Sequence, residues 1–311
     1  RDAQESRGLG DVYKRQDLCH TLKEFAQIME SYKVTAYKAY GTSAIRETQN
    51  TLILQDQIEQ RTGIRVETLS NSEQRFLDYK SIASKGETFR RIIEEKTAIL
   101  DIGGGSIQIS LFDKDTLVST QNLRLGVLRL QELLNHLNAG STQMERLVDE
   151  LATAQLDDYK KLYLKDREIK NIIIVDDYLS PWAVRKAHER GEVNAVVDRK
   201  AFSQLMEALR TKGTTELAKR MDIAEEKVPL VYISAILTRR IAELMGAELV
   251  WAPGVTLCDG IAYEYAEQNK MFRGEHDFAE DIIACALNIS KRYNGSSKRA
   301  DTLEHLSLIH I

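Results

Sequence analysis

Thr97-Ala98-Ile99-Leu100-Asp101-Ile102-Gly103-Gly104-Gly105-Ser106-Ile107-Gln108-Ile109-Ser110-Leu111 is the stretch on which the fold turns. Thr97 to Ile102 is a short apolar run, which predicts a buried strand. After the glycines, Ile107, Ile109 and Leu111 alternate with Gln108 and Ser110, and this period of two predicts a second strand. Asp113–Asp115 reads as a polar turn and Leu117–Leu125 as a third strand, so the three form an antiparallel meander. Three glycines in a hairpin turn expose successive backbone N–H groups, and such a nest binds phosphate oxygens. Asp101, at the end of the first strand, suits Mg²⁺, which takes one or two carboxylates plus phosphate oxygens. The plainer reading is a glycine-rich hairpin in which Asp101 closes an Asx turn. The conformational entropy lost by three consecutive glycines tells against it. Dinucleotide and P-loop sites need a helix after their glycines, and here a strand follows.

Working outward, the flanks alternate strands with helices. Upstream, Leu18, Leu22, Phe25, Ile28 and Met29 recur at helical spacing behind Asp17, a candidate cap. Strands are predicted at Thr35–Tyr40 and Arg65–Leu69, with helices at Ser43–Gln49, Leu52–Gln60 and Ser72–Ala83. Downstream the chain is mostly helical, with buried strands at Asn171–Val175 and Leu249–Trp251. This pattern predicts an α/β fold. The chain has 311 residues, 43% apolar and 29% charged, enough for two domains with sizeable cores. A net charge of −4 leaves no global field for nucleic acid or an anionic membrane, so neither is expected as a partner. No run of about 18 apolar residues offers a membrane span. Cys19, Cys258 and Cys285 are too scattered for a disulfide framework or a CxxC metal site. A cytoplasmic location is expected. Cys258 and Cys285, on apolar helices, are expected to be buried thiols, and His276 has no partner by spacing.

Residues 1–16 and 306–311 carry no period and are expected to be non-native sequence.

Glycines followed by a strand are the arrangement of the actin/hexokinase-like (ribonuclease H-like) phosphotransferase fold. Within it the chain closely resembles the exopolyphosphatase/guanosine pentaphosphate phosphohydrolase (Ppx/GppA) family. The resemblance runs from about Asp17 to Leu303. It is carried by Gly41-Thr42-Ser43-Ala44-Ile45-Arg46, by Ser70-Asn71-Ser72-Glu73-Gln74-Arg75, by Asp101–Ser106 and by Leu125-Gly126-Val127-Leu128-Arg129-Leu130. It implies a two-lobed α/β molecule. Residues 17–95 would be the remnant of a first, incomplete lobe, 96–270 the second lobe, and 271–305 the start of a helical C-terminal domain.

The resemblance also implies a site. Glu73 matches the family's general base, which activates water against a terminal phosphoryl group. Arg46, Thr42, Ser43, Gly103, Gly104, Gly105 and Ser106 would hold phosphates, and Asp101 would anchor Mg²⁺. Gln108, where the family often has Glu, would position water without bringing charge to the metal. Each has a duller reading. Ser70-x-x-Glu73 is also a capping box, and base and cap are expected to compete for one rotamer. Arg46 can be a solvated helix arginine, and Thr42 or Ser43 an N-cap. The implied activity is removal of terminal phosphate from inorganic polyphosphate or guanosine pentaphosphate with Mg²⁺, by a protein dimeric at full length. The alternative is a non-catalytic sensor binding (p)ppGpp or polyphosphate. An actin-like ATPase lacks support, because Asp176-Asp177-Tyr178-Leu179-Ser180 stands where a glycine turn would face a nucleotide. That acidic turn reads as a surface turn or a cation site. The family's first phosphate loop would precede Asp17, so this stretch alone is expected to be inactive.

Overall fold

Two units divide the chain between Arg75 and Phe76 in a computed structural model. The structure describes residues 12–302 apart from 115, 138–140, 273, 275, 277, 297, 300 and 301. Residues 306–311 and most of 1–16 lie outside the described residues.

The first unit contains α1 (Val12–Ser31), β1 (Ala39–Gly41), α2 (Ser43–Arg46), α3 (Thr51–Thr62) and β2 (Val66–Thr68). It also holds the opening residues of α4 (Asn71–Ala83). β1 and β2 are parallel, with Ala39 opposite Val66 and Gly41 opposite Thr68. The first helix runs through Asp17 instead of starting there, so Asp17 is not its cap. Its inner face is Leu18, Cys19, Leu22, Ala26 and Met29, packed on Ile45, Leu54, Ile58, Ile64 and Val66. Phe25 and Ile28 face outward. Leu18, Leu22, Ala26 and Met29 are spaced by four, four and three, a closer fit to one helical stripe than a set containing Phe25 and Ile28.

The second unit continues with α5 (Glu87–Ile93), β3 (Thr97–Ile102), β4 (Ile107–Asp113), β5 (Thr116–Leu123), α6 (Val127–His136) and α7 (Ser141–Tyr159). After a π-turn at Lys160–Leu164 come β6 (Asn171–Asp176), α8 (Leu179–Glu189), β7 (Ala195–Asp198), α9 (Arg199–Thr211) and α10 (Thr214–Met221). The unit closes with α11 (Val228–Met245), β8 (Leu249–Ala252), α12 (Leu257–Gln268) and α13 (Phe278–Arg292). One sheet has the order β5-β4-β3-β6-β8-β7. β3, β6 and β8 are parallel, and the others antiparallel to their neighbours. The expected meander is therefore present, on one side of a parallel centre. β7, at the far edge, has four residues and escapes prediction because so short a run carries no period.

Both faces of the sheet are covered, which is why its central strands read as continuous apolar runs. Leu100, Ile102, Ile109, Ile172 and Ile174 face the helices α7 and α11. Ile99, Phe112, Ile173, Val175 and Trp251 face Tyr79, Ile82, Phe89 and Ile93 of α4 and α5, with Phe278 and Cys285 of α13. This second face explains the unit boundary. From Phe76 onward α4, together with α5, buries its apolar side on the sheet. Helix α13 packs there too, so 278–292 lies in the same compact unit. It is fastened by Asp281, whose Oδ1 accepts the Leu117 N–H at 3.1 Å and whose Oδ2 is bonded to His276 Nε2 at 2.6 Å. His276 thus has a buried partner. Cys258 is exposed, whereas Cys285 is buried as expected.

Glu145 ties α7 to the helices beside it. Arg210 donates to both its oxygens at 2.6 Å, Arg239 pairs at 2.8 Å and the Tyr232 hydroxyl donates at 3.0 Å. Arg210 first of all holds the Glu145 carboxyl down at about 2. A carboxyl lowered on folding stabilises the native state above its unfolded value and loses that contribution as pH falls. Thermal stability should therefore drop between pH 4.5 and about 2, and Glu145→Gln should be less stable than wild type above that window but converge with it below. Melting curves across this range check it.

Candidate active site

In the first unit the predicted residues gather at the C-terminal ends of the two parallel strands. Gly41 ends β1 and leads into Thr42, Ser43 and Arg46, while Thr68 ends β2 and leads into Ser70 and Glu73. The Leu69 N–H donates to the Gly41 carbonyl at 3.0 Å, and Arg46 Nη1 donates to the Leu69 carbonyl at 2.7 Å. Arg46 thus spends one donor tying the two turns together. Thr42 stands at the N-cap of α2, with no capping bond from its side chain, and Ser43 is the first helical residue.

Glu73 makes the capping box. The Ser70 N–H donates to its Oε2 at 2.8 Å, and the Glu73 N–H donates to Ser70 Oγ at 3.2 Å. The Ser70 amide, and then its hydroxyl, hold this exposed carboxyl below the usual carboxylate range. Among the described residues Oε1 meets no donor. One oxygen is committed to the cap and the other is not.

In the second unit the glycine bend sits at the C-terminal edge of the sheet, between β3 and β4. The Gly103 N–H donates to the Ser106 carbonyl at 3.0 Å and closes the hairpin. The start of α6 then pins three successive carbonyls. Gly103 O accepts from the Val127 N–H at 3.0 Å, Gly104 O from the Arg129 N–H at 3.1 Å, and Gly105 O from Arg129 Nε at 2.9 Å. Across a trans peptide the carbonyl of one residue and the N–H of the next point in opposite directions, and no peptide here is cis. The N–H groups of Gly104, Gly105 and Ser106 are therefore aimed away from α6, and among the described residues they meet no acceptor. Successive backbone donors left unused at a glycine bend are the kind of feature that can bind an anion.

Glycine is needed here for contact and not for conformation, since neither the bend glycines nor Gly126 has a positive φ. A Cβ on Gly126 would lie 2.1 Å from Gly105 C and 2.2 Å from Gly104 O, and one on Gly104 would lie 2.8 Å from Leu128 Cδ1. Gly126 and Arg129 belong to the Leu125–Leu130 block, but sequence reasoning assigned them no role. The available signal was a glycine directly before a helix.

Asp101 and Gln108 are cross-strand partners, and Gln108 Nε2 donates to Asp101 Oδ2 at 3.2 Å. Gln108 is buried and Asp101 half-buried. No group of three or more His, Cys, Asp and Glu side chains that could hold a metal occurs among the described residues. One carboxylate beside an anion site nevertheless fits Mg²⁺ carried by phosphate oxygens, because that ion prefers few protein ligands.

Asp176 lies beside Ile102 on the neighbouring strand. Its carboxylate is buried and accepts from the Leu179 N–H at 2.8 Å, the Ser180 N–H at 2.6 Å and the Ser234 hydroxyl at 2.7 Å. Asp176 is therefore committed to the amides at the start of α8 and to Ser234, while Asp177 beside it is exposed as a surface turn would have it. A cleft of about 460 Å³ opens beside it, lined by Asp176, Asp177, Arg185, His188, Gly254 and Thr256 among others, without the glycine bend.

The family model of the Ppx/GppA phosphatase family matches residues 11–269. Among curated proteins, the exopolyphosphatase 1 of Mycobacterium leprae is 33% identical over 104 residues, covering 32% of this chain and 29% of that protein. The bifunctional 3-dehydroquinate synthase/phosphatase of Fusobacterium nucleatum is 24% identical over 150 residues, covering 45% of this chain and 22% of that protein. The matched stretches thus span less than a third of either relative. Among solved structures, an exopolyphosphatase from Cytophaga hutchinsonii superposes with a TM-score of 0.68 at 18% identity, covering 85% of both chains. The Aquifex aeolicus member of the Ppx/GppA family superposes at 0.62 with 15% identity, covering 84% of this chain and 83% of that one. At these identities the structures establish a shared fold.

Proposed function

Because this chain belongs to the Ppx/GppA phosphatase family, we propose that it serves as a phosphohydrolase that removes the terminal phosphate of inorganic polyphosphate. The observation that carries the reading is that the N–H groups of Gly104, Gly105 and Ser106 meet no acceptor among the described residues. A terminal phosphoryl group presents oxygens that accept from all three. Phosphoryl transfer asks the protein mainly for positioning and charge neutralisation, and fixed backbone donors supply both without reorganising. Relatives of this chain that include exopolyphosphatases favour polyphosphate. Guanosine pentaphosphate, with the same terminal anhydride, is the second candidate substrate.

In this reading Arg46, Thr42 and Ser43 of the first unit are donors to phosphate oxygens, and Glu73 of the same unit orients a water through its uncommitted oxygen and takes its proton. In the second unit Gln108 is a water-positioning residue and fixes the Asp101 carboxylate. Asp101 would hold Mg²⁺, which when bound neutralises charge on the phosphate oxygens. A carboxylate kept below its ordinary value stays ionised at neutral pH, as a base must, although its basicity is reduced.

The test is orthophosphate release by the full-length protein from polyphosphate, guanosine pentaphosphate and ATP, each with Mg²⁺. The expected order places polyphosphate first and ATP last. Faster release from ATP would replace this reading with an ATPase. One observation favours a sensor instead: a neutral Gln108 stands beside Asp101. A sensor would bind polyphosphate without turnover.

A further inference from the structure

The three pinned carbonyls of the glycine bend are not held alike. Those of Gly103 and Gly104 accept from backbone amides of α6, which any residue at 127 or 129 other than proline supplies. The carbonyl of Gly105 accepts from a side chain, Arg129 Nε, at 2.9 Å. That carbonyl sets the plane of the Gly105–Ser106 peptide and so the direction of the Ser106 N–H. We propose that Arg129 is a positioning residue that aims the third amide of the anion cradle through the Gly105 carbonyl, and that it does so by its Nε–H donor and not by its charge.

The chemistry separates those two properties. Glutamine places its amide nitrogen after the same three carbons as arginine places Nε, so Arg129→Gln keeps an N–H donor at that point and removes the charge. Lysine puts a methylene there and keeps the charge one atom further on. Methionine keeps the bulk and has neither. Half-buried Arg129 has neighbours besides Gly105, so every variant loses contacts of the outer guanidinium, and only Gln retains the bond to the bend.

The inference rests on the bend being an anion site, and the experiment keeps the two ideas apart. Amide signals of Gly104, Gly105 and Ser106 are followed by NMR in the ligand-free protein, then under titration with inorganic phosphate, for wild type and the three variants. Without ligand, the Ser106 signal should stay in place in Arg129→Gln and move in Arg129→Lys and Arg129→Met. Phosphate should move all three amides in wild type. Its affinity should fall about tenfold in the Lys and Met variants, the worth of roughly one hydrogen bond to a charged group, and stay within about threefold in Gln. If Lys keeps the ligand-free Ser106 signal and Gln loses it, or all three variants leave it unmoved, the positioning role is overturned. Should the Met variant fail to fold, Gln against Lys still decides. A wild-type bend that ignores phosphate overturns the anion site instead, whatever the ligand-free signals show.

Discussion

Gly126→Ala is expected to abolish phosphate binding at the bend and to destabilise the second unit by about 2–3 kcal/mol, the upper part of the range for overpacking a closed site. The cause is contact and not conformation. Gly126 is the N-cap of α6 with φ −70° and ψ 148°, a backbone that alanine adopts freely. Its Cα lies against the bend, and a methyl there would stand 2.1 Å from Gly105 C. The obstacle is backbone, which cannot rotate aside as a side chain can. Either α6 withdraws or the bend moves, and each breaks the bonds from Val127 and Arg129 that aim the three amides. A displacement near 1 Å is enough to reduce turnover by about 10²-fold. The molecule supplies its own control. Gly213 is the N-cap of α10 with φ −68° and ψ 151°, nearly the same conformation, and a Cβ there would meet nothing within 4 Å. Gly213→Ala should lose only about 0.5–1 kcal/mol, the difference between glycine and alanine as caps, and should leave phosphate binding at the bend unchanged. If the two substitutions prove equal in melting temperature and in phosphate affinity, close approach of α6 is not what shapes the bend.

That comparison shows which part of the site was legible in the sequence. The hairpin was, because strand, glycines and strand are adjacent in the chain and alternation reports which side chains face inward. The capping box at Ser70 and Glu73 was too, at a spacing of three. The clamp was not. Gly103–Gly105 meets Val127 and Arg129 across more than twenty residues, and a backbone-to-backbone approach leaves no side-chain pattern beyond a glycine. Asp176 misled for a related reason. An acidic pair after a strand reads as polar surface, yet Ser234, on a distant helix, completes the bonds that let its carboxylate be buried. His276 was silent in the same way, since its tie to Asp281 is only useful once α13 lies on β5. Cys258 shows the opposite case, because its apolar stretch predicts a buried face although the cysteine is exposed. Local periods place elements, and the contacts that shape a site depend on which elements meet.

Glu73→Gln should reduce kcat by about 10²–10⁴-fold, the usual contribution of a general base, with KM and melting temperature close to wild type. The reasoning turns on how the carboxylate divides its oxygens. Oε2 takes the Ser70 N–H at 2.8 Å and holds the first turn of α4, while Oε1 is uncommitted. Glutamine can complete a capping box as well as glutamate does. Its carbonyl oxygen would accept from Ser70, leaving an NH₂ where the uncommitted oxygen stood. That group donates hydrogen bonds and cannot take a proton from water. The substitution therefore preserves the structural role and removes the chemical one. Glu73→Ala removes both, and should add a loss of about 1 kcal/mol in stability. The pH profile gives an independent reading. A base must be ionised, so in wild type kcat/KM should fall on the acid side only below the ordinary glutamate value of 4.5, because Ser70 lowers this carboxyl. The residual activity of Glu73→Gln should lack that limb. If Glu73 is a cap and nothing more, Glu73→Gln will turn over polyphosphate at the wild-type rate while Glu73→Ala melts early, and the water-activating group must be sought elsewhere.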